Sequence, residues 1–85
     1  MPVLSGIIRD DRGQPVAGAS VYFTDAPVAV PDVALQTGPD GRFALGAPVA
    51  GSYELGVNAG GNSPTTLRCE VPPDGITDLT IQLPA

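Results

Sequence analysis

The chain of 85 residues contains no histidine, no tryptophan and no lysine, and only one cysteine, Cys69. Without histidine, a Ser–His or Cys–His nucleophile pair has no general base. One cysteine without histidine cannot supply the ligands of a zinc site, and it cannot form a disulfide within the chain. We therefore expect no enzyme activity, no cofactor and no metal.

Positive charge is scarce as well. Four arginines face nine acidic residues, which gives a net charge of −5. Nucleic acids and anionic membrane surfaces are bound through basic patches, so we expect no nucleic-acid partner. The acidic residues are scattered along the chain, which favours a role in solubility over steering toward a cationic partner.

Long apolar runs are also missing. No stretch is long enough to span a bilayer, and no signal peptide precedes the first predicted strand, which begins at Val3. We expect no membrane insertion. If the 85 residues are the complete chain, we expect it in the cytoplasm. For a module excised from a longer protein, the sequence assigns no compartment.

Helical periodicity is absent from the segments between the 11 glycines and 10 prolines, and apolar residues alternate with polar ones instead. The predicted strands are 3–9, 19–24, 33–37, 42–45, 52–58, 65–71 and 77–83. Residues 38–41 form a strong turn signal, which predicts a hairpin between strands 33–37 and 42–45. Seven short strands predict one all-β domain over residues 1–85, a Greek-key β-sandwich.

Three segments carry a resemblance to a known family. They are Gly6-x-Ile8-x-Asp10-x-x-Gly13-x-Pro15-x-x-Gly18-Ala19-x-Val21, Thr37-x-x-Asp40-Gly41-Arg42-Phe43 and Gly51-x-Tyr53-x-Leu55-x-Val57. In this order and spacing the chain resembles the carboxypeptidase regulatory-like domain, a transthyretin-like β-sandwich. The resemblance implies a spacer or binding accessory. It also implies that the Tyr53 ring fills the core while its hydroxyl bonds nearby backbone.

Four residues are candidates for contact with a partner. Tyr22 faces outward, because Val21 and Phe23 share the inner face of their strand, and an exposed tyrosine can anchor a protein or stack on a sugar ring. Val28 and Val30 lie on a proline-bracketed segment, and with the outer isoleucine Ile7 they would form one docking patch. The alternative is that the segment folds over the open end of the sandwich and hides its valines.

Two further groups have a structural interpretation. Asp10, Asp11 and Asp40 are candidate calcium ligands, but we expect their oxygens to cap their own turns. Cys69 alternates with Leu67 and Val71, which predicts a thiol that faces the core.

We expect a non-catalytic structural or protein-interaction module, an accessory component of a larger assembly with an unidentified protein partner. The alternative is a carbohydrate-binding module, in which a glycan binds the Tyr22 face beside Asn58 or Asn62. An open sandwich leaves unpaired edge strands, which also allows a homo-oligomer through an edge strand. The prolines near Val33 block one edge and leave the other more available.

Overall fold

Seven β-strands follow one another in the part of the chain that the structure describes. The computed structural model describes residues 2–30, 34–59 and 64–84. The strands are β1 (Val3–Arg9), β2 (Ser20–Asp25), β3 (Leu35–Gln36), β4 (Arg42–Gly46), β5 (Gly51–Asn58), β6 (Thr65–Val71) and β7 (Ile76–Gln82). Six of them agree with the predicted strands to within one residue at each end. The predicted strand 33–37 is shorter, and residues 31–33 lie outside the described ranges.

The strands form two sheets packed as a sandwich, which confirms the predicted fold class. One sheet has the order β4-β1-β7 and the other the order β3-β2-β5-β6. β1 and β7 pair in parallel, whereas the other strand pairs are antiparallel. Among the described residues there is no helix with the length and apolar character needed to cross a bilayer.

The predicted hairpin between strands 33–37 and 42–45 is wrong. β3 pairs with β2, whereas β4 pairs with β1 in the other sheet. The turn itself forms, because the Gly41 N–H donates to the Gly38 carbonyl at 2.9 Å. The turn connects the two sheets. Just before it, Thr37 is buried, and the Thr37 hydroxyl donates to the Val16 carbonyl at 2.7 Å.

The core lies between the sheets and follows the alternation of each strand. Its fully buried large side chains are Leu4, Ile8, Val21, Tyr53, Leu55 and Val57. The predicted inward face of β7 is confirmed, since Ile81 is buried while Leu79 and Leu83 pack against the core. Phe23 packs on Tyr53 with their ring centroids 4.9 Å apart.

A β-bulge shapes the pairing of β1 with β7. Leu4 lies opposite Ile76, but Gly6 lies opposite Leu79, so β7 carries one extra residue in this interval. Within it, Asp78 adopts a φ of 62°. A Cβ atom on Gly6 would lie 1.9 Å from the Leu79 carbonyl oxygen, so only glycine fits at this position.

Candidate functional site

One end of the sandwich is built from four segments that are distant in sequence. The register places Val3, at the start of β1, opposite Gly46 at the end of β4, and Gly51 opposite Val71. The Ala47 N–H donates to the Pro2 carbonyl at 2.9 Å, which joins the first residues to the β4–β5 loop. We call this surface the valine end; it comprises residues 2–3, 26–30, 46–51 and 72–75.

The valine end is apolar and nearly uncharged. Of the four large hydrophobic residues that are exposed within the described ranges, three lie here: Val3 is 48% exposed, Val28 42% and Val49 41%. The fourth, Leu35, is 40% exposed and lies on β3. Asp74 is the one charged side chain among the valine-end residues. Exposed apolar residues that share one end of a domain mark an interaction site more often than residues scattered singly over the surface do.

The tyrosine hydroxyl in the core holds part of this surface in place. Tyr53 donates to the Val49 carbonyl at 2.7 Å and accepts the Val49 N–H at 3.3 Å. This confirms that the Tyr53 hydroxyl bonds nearby backbone. Sequence reasoning missed Val3 and Val49 as surface candidates. The sequence indicated surface exposure only for Val49, because Val49 lies in an apolar segment beside Pro48, where a strand is interrupted.

An exposed ion pair lies at the start of the segment that carries Val28. Arg68 Nη2 lies 2.6 Å from Asp25 Oδ2, and the Ala26 N–H donates to Asp25 Oδ1 at 3.0 Å. The hydrogen bond from Arg68, helped by that from Ala26, holds the pKa of the Asp25 carboxyl below its ordinary value. The chain beyond Asp25 then passes Gly51, where a Cβ atom would lie 3.0 Å from Pro27.

The structure separates the candidates that sequence reasoning grouped together. Val28 is exposed at the valine end, whereas Val30 is half-buried and packs against the core. Ile7 is half-buried on β1, opposite Arg42 at the start of β4, and so lies toward the other end of the sandwich. Ile7 and Val28 are therefore not brought together. Contact of these residues with a partner stays a prediction.

Tyr22 lies on the outer face of the four-stranded sheet, and its ring lies on a glycine. It pairs with Gly56, and a Cβ atom on that glycine would lie 2.4 Å from Tyr22 Cε2. The ring therefore covers the Gly56 backbone, and Tyr22 is half-buried. Beside it, the Thr24 hydroxyl donates to Glu54 Oε1 at 2.7 Å. One face of the ring is used by the sheet itself.

The opposite end of the sandwich carries charged turns. Asp10 Oδ1 accepts the N–H groups of Arg12 and Gln14, each at 2.9 Å, and Asp40 Oδ1 accepts the Arg42 N–H at 3.2 Å. These contacts confirm that the two carboxylates cap their own turns. Within the described ranges, no three His, Cys, Asp or Glu side chains gather closely enough to hold a metal ion.

Cys69 lies on the inner face of β6, as predicted, and is half-buried against the core. Burial, with a smaller contribution from the charge of Glu70, raises the pKa of its thiol. A thiol that ionises less readily is a weaker nucleophile at neutral pH.

Comparison with known proteins adds one finding. A search of the curated proteins gives no match. The family model of the carboxypeptidase regulatory-like domain matches residues 3–84. That range contains every strand of both sheets as well as the three segments that carry the resemblance. The chain therefore belongs to the carboxypeptidase regulatory-like domain family.

Proposed function

We propose that this domain is a structural or protein-interaction module of a larger assembly, and that it contacts a protein partner through the valine end. Domains of its family are non-catalytic modules. The observation that carries the proposal is the gathering of Val3, Val28 and Val49 at one end of the sandwich. Burial of apolar area is the main favourable term in most protein association, and these side chains supply it.

The surface is also held in a defined conformation. The Tyr53 hydroxyl fixes the backbone of Val49, and the Asp25 carboxylate fixes the start of the segment that leads to Val28. A surface that is already ordered loses less conformational entropy when a partner binds. The near absence of charge favours an apolar protein surface as the partner over a charged ligand.

The test compares two variants of the immobilised domain as bait in an extract of its native cells. We expect the double variant Val28→Ser with Val49→Ser to capture roughly tenfold less protein than the wild-type domain, because each serine removes apolar contact area. Leu35→Ser is the matched control, since Leu35 has nearly the same exposure but lies on β3. Captured proteins are identified by mass spectrometry, and thermal unfolding verifies that both variants fold.

A partner captured equally well by both variants would refute the valine end as the contact surface. The carbohydrate alternative rests on Tyr22, the one aromatic side chain that lies outside the core. Asn58 lies at the end of β5, while Asn62 lies outside the described residues. Retention on a polysaccharide column that Tyr22→Ala abolishes and free sugar reverses, with no protein captured, would replace the protein-binding proposal with this alternative.

A further inference from the structure

The four edge strands of the sandwich differ in how open they are to pairing with another strand. β3 and β6 bound one sheet, and β4 and β7 bound the other. β3 has two residues, and β7 contains the bulge at Asp78. β6 has seven residues, and its register with β5 runs from Gly51–Val71 to Val57–Thr65 without a break. Natural edges are usually protected by a bulge, a proline, charged side chains or short length; of these β6 has only the charged side chains of Arg68 and Glu70.

β6 also has a charge pattern that is complementary to itself. Arg68 and Glu70 are exposed on its outer face, one on each side of Cys69. In an antiparallel pair of two β6 strands centred on Cys69, each Arg68 lies directly opposite Glu70 of the second copy. On the inner face, each Leu67 lies opposite Val71 of the second copy. Opposite charges that face each other across strands are stabilising.

Other registers lose this complementarity. A pair centred on Arg68 places the two arginines opposite each other, and a pair centred on Glu70 places the two glutamates opposite each other. Like charges directly opposite are destabilising. The remaining edges offer no equivalent, because β4 contains only Arg42 and β7 only Asp78 as charged residues.

We propose that two copies of this chain associate by antiparallel pairing of β6 with β6, centred on Cys69, so that their four-stranded sheets join edge to edge. The main-chain groups on the open side of β6 supply the hydrogen bonds. Pro72 has no N–H, so the paired stretch covers residues 67–71. The association extends the module's interactions to a second copy and does not require the valine end.

Arg68 makes its present contacts on the side of β6 that faces β5 and β2, away from the open edge. It is bound to Asp25 at 2.6 Å, and its Nη1 lies 3.4 Å from Ser52 Oγ. A guanidinium has five N–H donors, and in the dimer Arg68 turns some of them from Asp25 and Ser52 toward Glu70 of the second copy. The Asp25–Arg68 pair is exposed, so a modest shift of the arginine toward the edge costs little.

The first test is sedimentation of charge variants over a range of concentrations. We expect the wild-type chain to dimerise, and Glu70→Arg to weaken the dimer by on the order of tenfold to hundredfold, because two Arg–Arg oppositions replace two Arg–Glu pairs. Arg68→Glu does the same with two Glu–Glu oppositions. An equimolar mixture of the two variants restores the dimer, because each arginine of one copy then faces a glutamate of the other. Arg42→Glu, on the edge strand β4, is the control and leaves the dimer unchanged.

The second test reads the register by disulfide formation with diamide, which accepts the two electrons and two protons released by a pair of thiols. Opposed Cα atoms of antiparallel strands lie about 4.5–5.5 Å apart, which suits a disulfide. We therefore expect Cys69 to link to Cys69 of the second copy. In a Cys69→Ser background, Leu67→Cys alone does not self-link, because the two copies of position 67 lie about 13 Å apart. Leu67→Cys mixed with Val71→Cys does link.

A chain that stays monomeric up to about millimolar concentration, or variants that cross-link without regard to register, would overturn the proposal. The tests of the β6 dimer can succeed or fail independently of the capture test of the valine end. A Glu70→Arg variant that is monomeric yet captures the same protein partner supports both proposals. Failure of the Val28→Ser and Val49→Ser variants to change capture leaves the β6 dimer in place.

Discussion

The two tyrosines of this chain have different environments at the scale of single residues. The Tyr53 ring is fully buried, and its hydroxyl bonds both backbone groups of Val49. The Tyr22 ring lies on Gly56 at the outer face of the sheet. The strand alternation predicted both orientations, because period-2 side chains point to opposite faces. Only Tyr53 has a hydroxyl that links the core to the valine end.

Replacement of Tyr53 by phenylalanine should therefore lower the free energy of unfolding. The expected loss is about 1 kcal/mol, because the Val49 N–H and carbonyl lose their partner while the ring still fills the core. Tyr22→Phe is the matched control and should change stability by less than about 0.5 kcal/mol. Urea unfolding followed by circular dichroism measures both. Equal stabilities for the two variants would contradict a stabilising role of the Tyr53 hydroxyl.

At the scale of elements, the pairing of β1 with β7 depends on a close backbone approach at Gly6. The extra residue in β7 brings the Leu79 carbonyl over the position where a Cβ atom of residue 6 would lie. Gly56, on β5, is also covered, but by the Tyr22 side chain. A backbone atom can withdraw only if the strand moves, whereas a side chain can rotate away. Gly56 should therefore tolerate substitution by alanine better than Gly6 does.

Gly6→Ala should destabilise the domain by about 3 kcal/mol, at the upper end of the usual cost of overpacking. Gly56→Ala should cost about 1 kcal/mol, because the Tyr22 ring can swing toward solvent. Thermal unfolding of the two variants gives the comparison. If Gly6→Ala unfolded at the same temperature as Gly56→Ala, the close contact between β1 and the β7 bulge would not be a constraint on stability.

The failed hairpin prediction also belongs to the element scale. Residues 38–41 make a turn whether it joins neighbouring strands or crosses between sheets, so the local sequence does not distinguish the two. The crossing is selected by distant contacts. The buried Thr37 hydroxyl accepts the Ala19 N–H at 3.0 Å, and the Thr37 N–H donates to the Ala19 carbonyl at 2.8 Å. These partners lie 18 positions earlier in the chain.

At the scale of the whole molecule, Thr37 ties the entry into β2 to the crossing from β3 to β4. Its hydroxyl is a donor to Val16 and an acceptor from Ala19 at once. Thr37→Val has nearly the same volume but removes the hydroxyl partner of the buried Ala19 N–H and of the half-buried Val16 carbonyl. We expect it to lower the free energy of unfolding by about 2 kcal/mol.

Thr37→Ser keeps the hydroxyl and is the matched control, with a smaller loss from the missing methyl group. Chemical denaturation ranks the two variants, and hydrogen exchange at the Ala19 amide reports the lost bond directly. A valine variant more stable than the serine variant would show that the hydrogen bonds of the Thr37 hydroxyl do not stabilise the fold.

The sequence by itself determined the strands and their faces, because alternation of apolar side chains is a local property that burial on one face requires. It also placed Asp10 and Asp40 in their turns and Cys69 toward the core, since each depends on near neighbours. Its composition excluded the nucleophile pairs and zinc sites that need histidine.

Only the tertiary structure decided which strands pair and what gathers at the surface. Val3, Val28 and Val49 come from separate loops and strand ends, and strand register together with the approach of Pro27 to Gly51 places them at the same end of the sandwich. The same register separates Ile7 from Val28 and places Arg68 and Glu70 on an open edge. Such pairings depend on burying one shared core from residues far apart in the chain, and no local pattern specifies them.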